Sequence, residues 1–218
     1  MDSELAPRQR RSQETQERLL DAVEELLEER VFEHISIQDI AATAGVAVGT
    51  IYRRFRNKEA LLPALYRRLD ARYDEWARTV WSSPDARRTR ATGDGLRPRV
   101  RRLVAAHVRF YRRNAPLLRT LYLQVRLDGD LADPATAGRR KALYGPLLAP
   151  VLEWFGQVGR PAPTPARVRC LVLLLLSPLT ERCLFPDNTP ASLLRVSDRR
   201  FTEELTDALC RYLDRGCD

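Results

Sequence analysis

Apolar residues recur at helical spacing along almost the whole chain. Between about residues 13 and 31, Leu19, Val23, Leu26, Leu27 and Arg30 follow a 3.6-residue period while acidic residues take the outer face, which predicts a first amphipathic helix. After a break at Val31 to Ile35, Ser36 stands three residues before Asp39 and directly ahead of Ile37, Ile40 and Ala41, the pattern of a capping box opening a second helix. Ala44-Gly45-Val46 ends that helix, because glycine supplies the left-handed backbone a sharp turn needs, and a third short helix is expected from about Val48 to Phe55. Asn57 can cap a fourth, whose apolar face is Leu61, Leu62, Leu65 and Leu69.

From Ser82 to Pro98 the chain turns polar, with Pro84, Gly93, Gly95, Pro98 and several arginines, and reads as a loop. Helices are then expected over Arg99 to Asn114, Pro116 to Asp128, Ala137 to Val158, Pro165 to Leu184 and about Pro190 to Arg215. No alternating strand pattern and no internal repeat interrupts them, so the fold class is all-α. The expected organisation is a basic flexible arm over 1–12, a three-helix unit with a helix-turn-helix over 13–60, and a larger helical domain over 61–218.

Composition narrows the class. Among 218 residues 44% are hydrophobic and 30% charged, the proportions of a folded globular chain. Met1 to Arg11 has no apolar core and is not a secretory signal, and the most apolar run, Cys170 to Leu176, is far shorter than the ~20 residues that cross a bilayer. A cytoplasmic protein without a membrane partner is expected. Cys170, Cys183, Cys210 and Cys217 form no Cys-x-x-Cys pair, and only His34 and His107 could join them, so they read as reduced thiols, with a redox switch as the alternative; no metal and no cofactor is expected.

Net charge is +8, but its distribution is uneven. Residues 1–80 carry −2, residues 81–141 carry +10 and residues 142–218 are neutral. Global basicity is therefore a poor guide to a polyanionic partner, and the local pattern carries more. From 44 to 72, Arg53, Arg54, Arg56, Lys58, Arg67, Arg68 and Arg72 face only Glu59 and Asp70, a local +5. The excess of arginine in the central segment has two readings, an anionic small molecule or a solvated surface.

Short helix, glycine turn, short helix over 36–55 is the geometry of a helix-turn-helix, whose second helix enters the major groove. With Ile51 and Phe55 set toward the core, ~100° per residue puts Gly49, Thr50 and Arg53 on the opposite face with Tyr52 and Arg54 flanking it. Gly49 would let the backbone approach closely, Thr50 and the Tyr52 hydroxyl could reach a phosphate or base edge, Arg53 could pair with guanine, and Lys58 suits a phosphate. A pair of ordinary helices with a solvated arginine face is the competing reading.

The stretch from Ile37 to Leu62, with its Ile-Ala-x-x-Ala-Gly-Val element, Gly-Thr-Ile-Tyr and Phe-x-Asn-Lys-Glu-x-Leu, resembles the N-terminal domain of the TetR family of transcriptional regulators, a likeness that extends over about Arg18 to Leu69. The resemblance implies that Ser36, Gln38, Val48, Gly49, Thr50, Tyr52, Arg53 and Lys58 lie at or near DNA. It implies as well a homodimer on a palindromic operator, a small-molecule effector held among the central helices, and a regulator, a repressor in the usual case, released by that effector. Two positions depart from the family pattern. Ala47 replaces the usual Ser or Thr cap of the third helix, and Val31 replaces a glycine after the first.

Three features remain open on sequence. Arg8, Arg10 and Arg11 belong either to an arm that enters a minor groove or to a solvated tail. The apolar Val168 to Leu179 run and the stripe Phe201, Leu205, Leu209, Tyr212 on the last two helices are either a dimer interface or internal core. Phe110, Tyr111, Tyr122, Trp154 and Phe155, with Arg109 or Arg126, either line an effector pocket or pack the core. No phosphate-binding glycine loop, metal-ligand spacing or serine elbow points to an enzyme, and a helical adaptor protein would not need the Gly49, Thr50, Tyr52, Arg53, Lys58 constellation.

Overall fold

The computed structural model describes residues 7–82, 95–127, 134–186 and 196–214, and the side chains of all of these except 7–9, 134–144 and 146. The described residues hold nine α-helices and no strand: α1 Pro7–Leu27, α2 Ile37–Ala44, α3 Val48–Tyr52, α4 Leu62–Thr79, α5 Leu96–Arg113, α6 Ala115–Leu127, α7 Pro134–Gln157, α8 Pro165–Leu184 and α9 Asp198–Asp214. Short 3-10 turns at Phe32–His34 and Glu59–Leu61 precede α2 and α4. None of the described helices is long and apolar enough to cross a membrane.

The chain divides into two compact units, one formed by 1–69 with 116–131 and the other by 70–115 with 132–218. In the first, the apolar residues of the α1 stripe are buried, with Leu19 and Val23 fully so, together with Ile40 of α2, Ile51 of α3, Leu61 just before α4 and Leu62, Leu65 and Leu69 within it. Burying a leucine or isoleucine stabilises by about 1.5–3 kcal/mol, so these apolar positions dominate the packing of a unit whose third helix has only five residues. The acidic row of α1 does not simply face water. Arg68 of α4, only 20% exposed, meets Glu17, Asp21 and Glu24, residues spaced i, i+4, i+7 along one side of α1.

In the second unit α5 is the hub, packing on α7, α8 and α9. Its buried Arg99 donates to the Pro150 carbonyl at 2.8 Å and to Gln157 Oε1 at 2.8 Å, so hydrogen bonds to α7 compensate the removal of this cation from water. Arg97 pairs with Glu203 and Asp207, Arg101 with Glu203, and Arg112 and Arg182 with Asp198. Several arginines of the basic central segment are thus matched to acids of α9. Thr164 caps α8 by accepting from the Arg167 N–H at 3.3 Å, with Pro165 in the first turn where its missing N–H costs nothing.

Several boundaries differ from those expected. α1 begins at Pro7, so residues 7–12 of the supposed flexible arm are helical, and it ends at Leu27 rather than near Val31. Val31 has φ −78° and ψ 150°, extended backbone that any residue adopts, so no glycine is needed there. α3 stops at Tyr52 instead of Phe55, and α5 starts at Leu96, inside the segment read as a loop. The remainder of that loop, the start of the last helix at Pro190 and Cys217 lie outside the described residues.

Candidate nucleic-acid interface

α2 opens with the capping box its sequence announces. Ser36 Oγ accepts from the Asp39 N–H at 3.1 Å while Asp39 Oδ2 accepts from the Ser36 N–H at 2.9 Å. The bond from the Ser36 backbone first, then its hydroxyl and the neighbouring Arg30 guanidinium, hold the Asp39 carboxyl below the usual carboxylate range. At the other end Gly45 takes φ 62° and ψ 42°, its N–H reaching the Ala41 and Ala42 carbonyls. Arg18 of α1 donates to the Ala44 and Gly45 carbonyls at 2.6 and 3.1 Å, fastening the turn from outside.

The turn delivers α3. Ala47 has the extended backbone of a helix cap, φ −69° and ψ 144°, but makes no side-chain capping bond. Ile51 is fully buried and anchors the helix, while the Arg54 and Phe55 N–H groups both donate to its carbonyl at 2.9 Å, extending the helical turn past Tyr52. Phe55, expected to share the core with Ile51, is half-buried. Gly49, Arg53 and Tyr52 face solvent, Tyr52 with 54% of its surface accessible. Thr50 and Val48 are half-buried, and the Arg53 guanidinium donates to Thr50 Oγ1 at 3.1 Å. A Cβ added at Gly49 would meet nothing within 4 Å, and its φ is not positive, so the fold itself does not require glycine there.

The structure therefore brings Gly49, Thr50, Tyr52 and Arg53 together on one side of α3, with Ser36 and Gln38 exposed at the start of α2. Arg54 and Lys58 are placed differently from the sequence expectation. Arg54 donates to Ser12 Oγ of α1 at 2.8 Å. The Lys58 ammonium donates to the Phe32 and Glu33 carbonyls at 2.9 and 3.1 Å and lies 4.9 Å from the Phe32 ring centroid. With Arg68 held by three carboxylates, the local +5 overstates the positive charge available to a partner. Sequence reasoning missed Arg18, Ser12 and the inward role of Lys58, since a contact between residues 26 or 42 positions apart leaves no periodic signal.

Of the aromatic residues considered for an effector, four lie in the second unit and one, Tyr122, in the first. Phe110 is buried edge-on to Tyr73 at 5.2 Å and beside Trp76 at 4.9 Å. Phe155 is buried against Trp154 at 5.1 Å. Tyr111 is half-buried and Arg109 exposed. Tyr122 belongs to the first unit, where its hydroxyl accepts from Arg126 at 2.6 Å. A groove of ≈ 350 Å³ lies elsewhere in the second unit, lined by residues that include Leu173, Leu174, Pro178, Leu205, Ala208 and Leu209.

Burial raises the Cys183 thiol and pushes Cys210 up to about 11, the state of unreactive thiols, while Cys170 is exposed on α8. No cluster of histidine, cysteine and carboxylate side chains suited to a metal ion occurs among the described residues.

The fold is shared with solved regulators. The crystal structure of the TetR family transcriptional regulator PfmR from Thermus thermophilus is 20% identical, with 91% of this chain and 100% of that chain covered and a TM-score of 0.61. A tetR-family bacterial regulatory protein from Rhodococcus RHA1 is 18% identical over 94% of this chain and 98% of that one, with a TM-score of 0.64. The fatty acid degradation regulator FadR from Bacillus halodurans is 18% identical over 95% and 96%, with a TM-score of 0.60. No curated protein matches the chain by sequence. Residues 19–65, which span the buried stripe of α1, the capping box, the Gly45 turn and the exposed side of α3, match the family described as bacterial regulatory proteins, tetR family.

Proposed function

We propose that this chain is a sequence-specific DNA-binding transcription regulator of the cytoplasm, a repressor that leaves its palindromic operator when a small-molecule effector binds, and that it works as a homodimer joined through α8 and α9. The observation that carries the reading is the outward side of α3. An exposed tyrosine, an exposed arginine and a glycine that nothing in the fold demands occupy consecutive turns of the helix that a helix-turn-helix lays into the major groove. In this reading Gly49 brings the backbone close to DNA, Arg53 pairs with a base edge, Tyr52, Thr50 and Val48 contact the groove wall, and Ser36 and Gln38 reach the flanking phosphates. Arg54 and Lys58 contribute to binding through the geometry they hold, Lys58 keeping its third N–H for a phosphate.

The dimer is supported by exposed Leu173 and Leu174, at 63% and 45%, beside the apolar groove. Phe110, Tyr111, Trp154 and Phe155 are the effector candidates of the second unit, and Tyr122 that of the first.

Selection from a random duplex library tests the regulator reading. The full chain should enrich a palindrome, and Tyr52→Ala and Arg53→Ala should each weaken its binding at least tenfold. A library that emerges unenriched overturns the reading. Placing the selected site across a reporter promoter then separates repression from activation.

A further inference from the structure

We propose that the first turns of α1 form a second DNA-contacting surface, in which Arg10 and Arg11 grip backbone phosphates beside the tract met by α3. It rests on the DNA-binding reading above.

Charge is segregated along α1. Pro7 to Gln13 holds three arginines and no acid, while Glu24 and Glu25 lie in the last turn and Glu28 and Glu29 directly follow it. This is the reverse of what the helix macrodipole favours, since the positive end of a helix is stabilised by acids and the negative end by bases. Apart from the exposed Arg10–Glu14 pair, the arrangement brings α1 no internal gain. A polyanion laid against the basic turns relieves the repulsion among their arginines.

Two contacts give the surface its place. Arg54, next to Arg53 at the end of α3, donates to Ser12 Oγ at 2.8 Å, so the turn that carries Arg10 and Arg11 is fastened to the end of α3. Arg11 precedes Ser12 by one residue, about 100° around the helix, so its exposed side chain leaves the turn alongside that fastening. Arg10 meets Glu14 at 3.6 Å, with 75% and 61% of the two side chains exposed, a surface pair that a phosphate readily replaces. These residues are helical, and a helix with its side chains is about 10–12 Å wide against about 6 Å for the minor groove, which favours the phosphates over the groove floor as partners. The partner atoms are phosphate oxygens, which carry no sequence information, so the surface adds affinity and sets the lie of the domain without altering the preferred site.

The test measures binding of the full chain to the selected palindrome and to a fixed random duplex of about 30 base pairs over a series of salt concentrations. Each phosphate contact contributes about 0.9 to the slope of log K against log salt and a dimer carries four such arginines, so Arg10→Ala/Arg11→Ala should make the slope shallower by about 3.6 on both duplexes, and Arg10→Lys/Arg11→Lys should keep it. Circular dichroism checks that α1 persists, and if the alanine pair unfolds it, Arg10→Gln/Arg11→Gln replaces that variant. Failure of the unaltered chain to bind either duplex sinks the DNA-binding reading itself. Binding by the unaltered chain with an unchanged slope in the neutral double variant overturns this surface alone.

Discussion

Gly45 and Gly49 lie four residues apart and are glycine for opposite reasons. Gly45 has φ 62°, and an added Cβ would come 3.2 Å from the Arg18 guanidinium, so Gly45→Ala should lower stability by about 1–2 kcal/mol in denaturant titrations. Gly49 has ordinary helical backbone and open space around it. Gly49→Ala should therefore raise stability by about 0.5–1 kcal/mol, the usual helix gain of alanine over glycine. The same change should weaken binding to the selected duplex at least tenfold, and unaltered affinity would remove close backbone approach as the reason for glycine there. His107 offers a different single-residue test. Its ring is buried beside Trp76 at 4.7 Å, with Nδ1 2.8 Å from the Leu103 carbonyl and Nε2 3.4 Å from the Tyr73 hydroxyl, and burial pushes its pKa down to about 4. Below about 6.5 the unfolded chain takes up a proton that the folded chain refuses until about 4, so this group makes stability fall as pH drops through that window. The slope is at most about 1.4 kcal/mol per pH unit, and His107→Asn should flatten it in denaturation midpoints taken between pH 7 and 4.

Among the elements, the second helix, its turn and the third helix are held by residues remote in sequence, which gives a clear separation of roles. Lys58→Ala removes two hydrogen bonds from a cation to the Phe32 and Glu33 carbonyls and should cost about 1–2 kcal/mol of stability, whereas Arg53→Ala, bonded only to the neighbouring Thr50 among the contacts described, should leave thermal unfolding nearly unchanged. Differential scanning calorimetry of the two variants checks this, and equal destabilisation would contradict the geometry. The local signals here were legible in the sequence because they are local: Ser36 and Asp39 are three residues apart, Gly45 ends its own helix, and Leu61, Leu62, Leu65 and Leu69 repeat at helical spacing. Nothing in residue spacing pairs Arg18 with Gly45, Lys58 with Phe32 or Ser12 with Arg54. The start of α1 was hidden for a related reason. Pro7 to Gln13 has no apolar stripe to reveal the helical period, although proline suits a first turn and the residues that follow are good helix formers. Charge summed over a window likewise cannot tell an exposed cation such as Arg53 from one enclosed by carboxylates such as Arg68.

For the whole molecule, the last two helices expose what a monomer would bury. Leu173 and Leu174 of α8 are 63% and 45% exposed, while Leu171, Leu175 and Leu179 on its other side are buried. α9 turns Thr202, Thr206, Leu209 and Leu213 inward, with the threonine hydroxyls donating back to the Asp198 and Thr202 carbonyls at 2.7 and 2.6 Å, and leaves Phe201, Leu205 and Tyr212 half-exposed. The stripe read from the sequence is thus split, Leu209 within the core and its companions outward. Arg182 lies over the Phe201 ring and Arg167 over Tyr212, so the apolar surface without such cover centres on Leu173, Leu174, Leu205 and Ala208 along the groove. Threonine buried while leucine faces water is a costly choice for a lone chain and a reasonable one if a second copy covers the leucines. Leu173→Glu/Leu174→Glu should then yield a particle of 25.0 kDa in sedimentation equilibrium where the unaltered chain gives about twice that mass. Helical content should be retained, because neither side chain supports the core. Two linked heads on neighbouring half-sites gain about 10²–10⁴ in effective affinity over one, so the same variant should lose at least a hundredfold on the palindrome and almost nothing on an isolated half-site. An equal loss on both would mean that α3 itself had been disturbed, and a variant still twice the monomer mass would place the interface elsewhere.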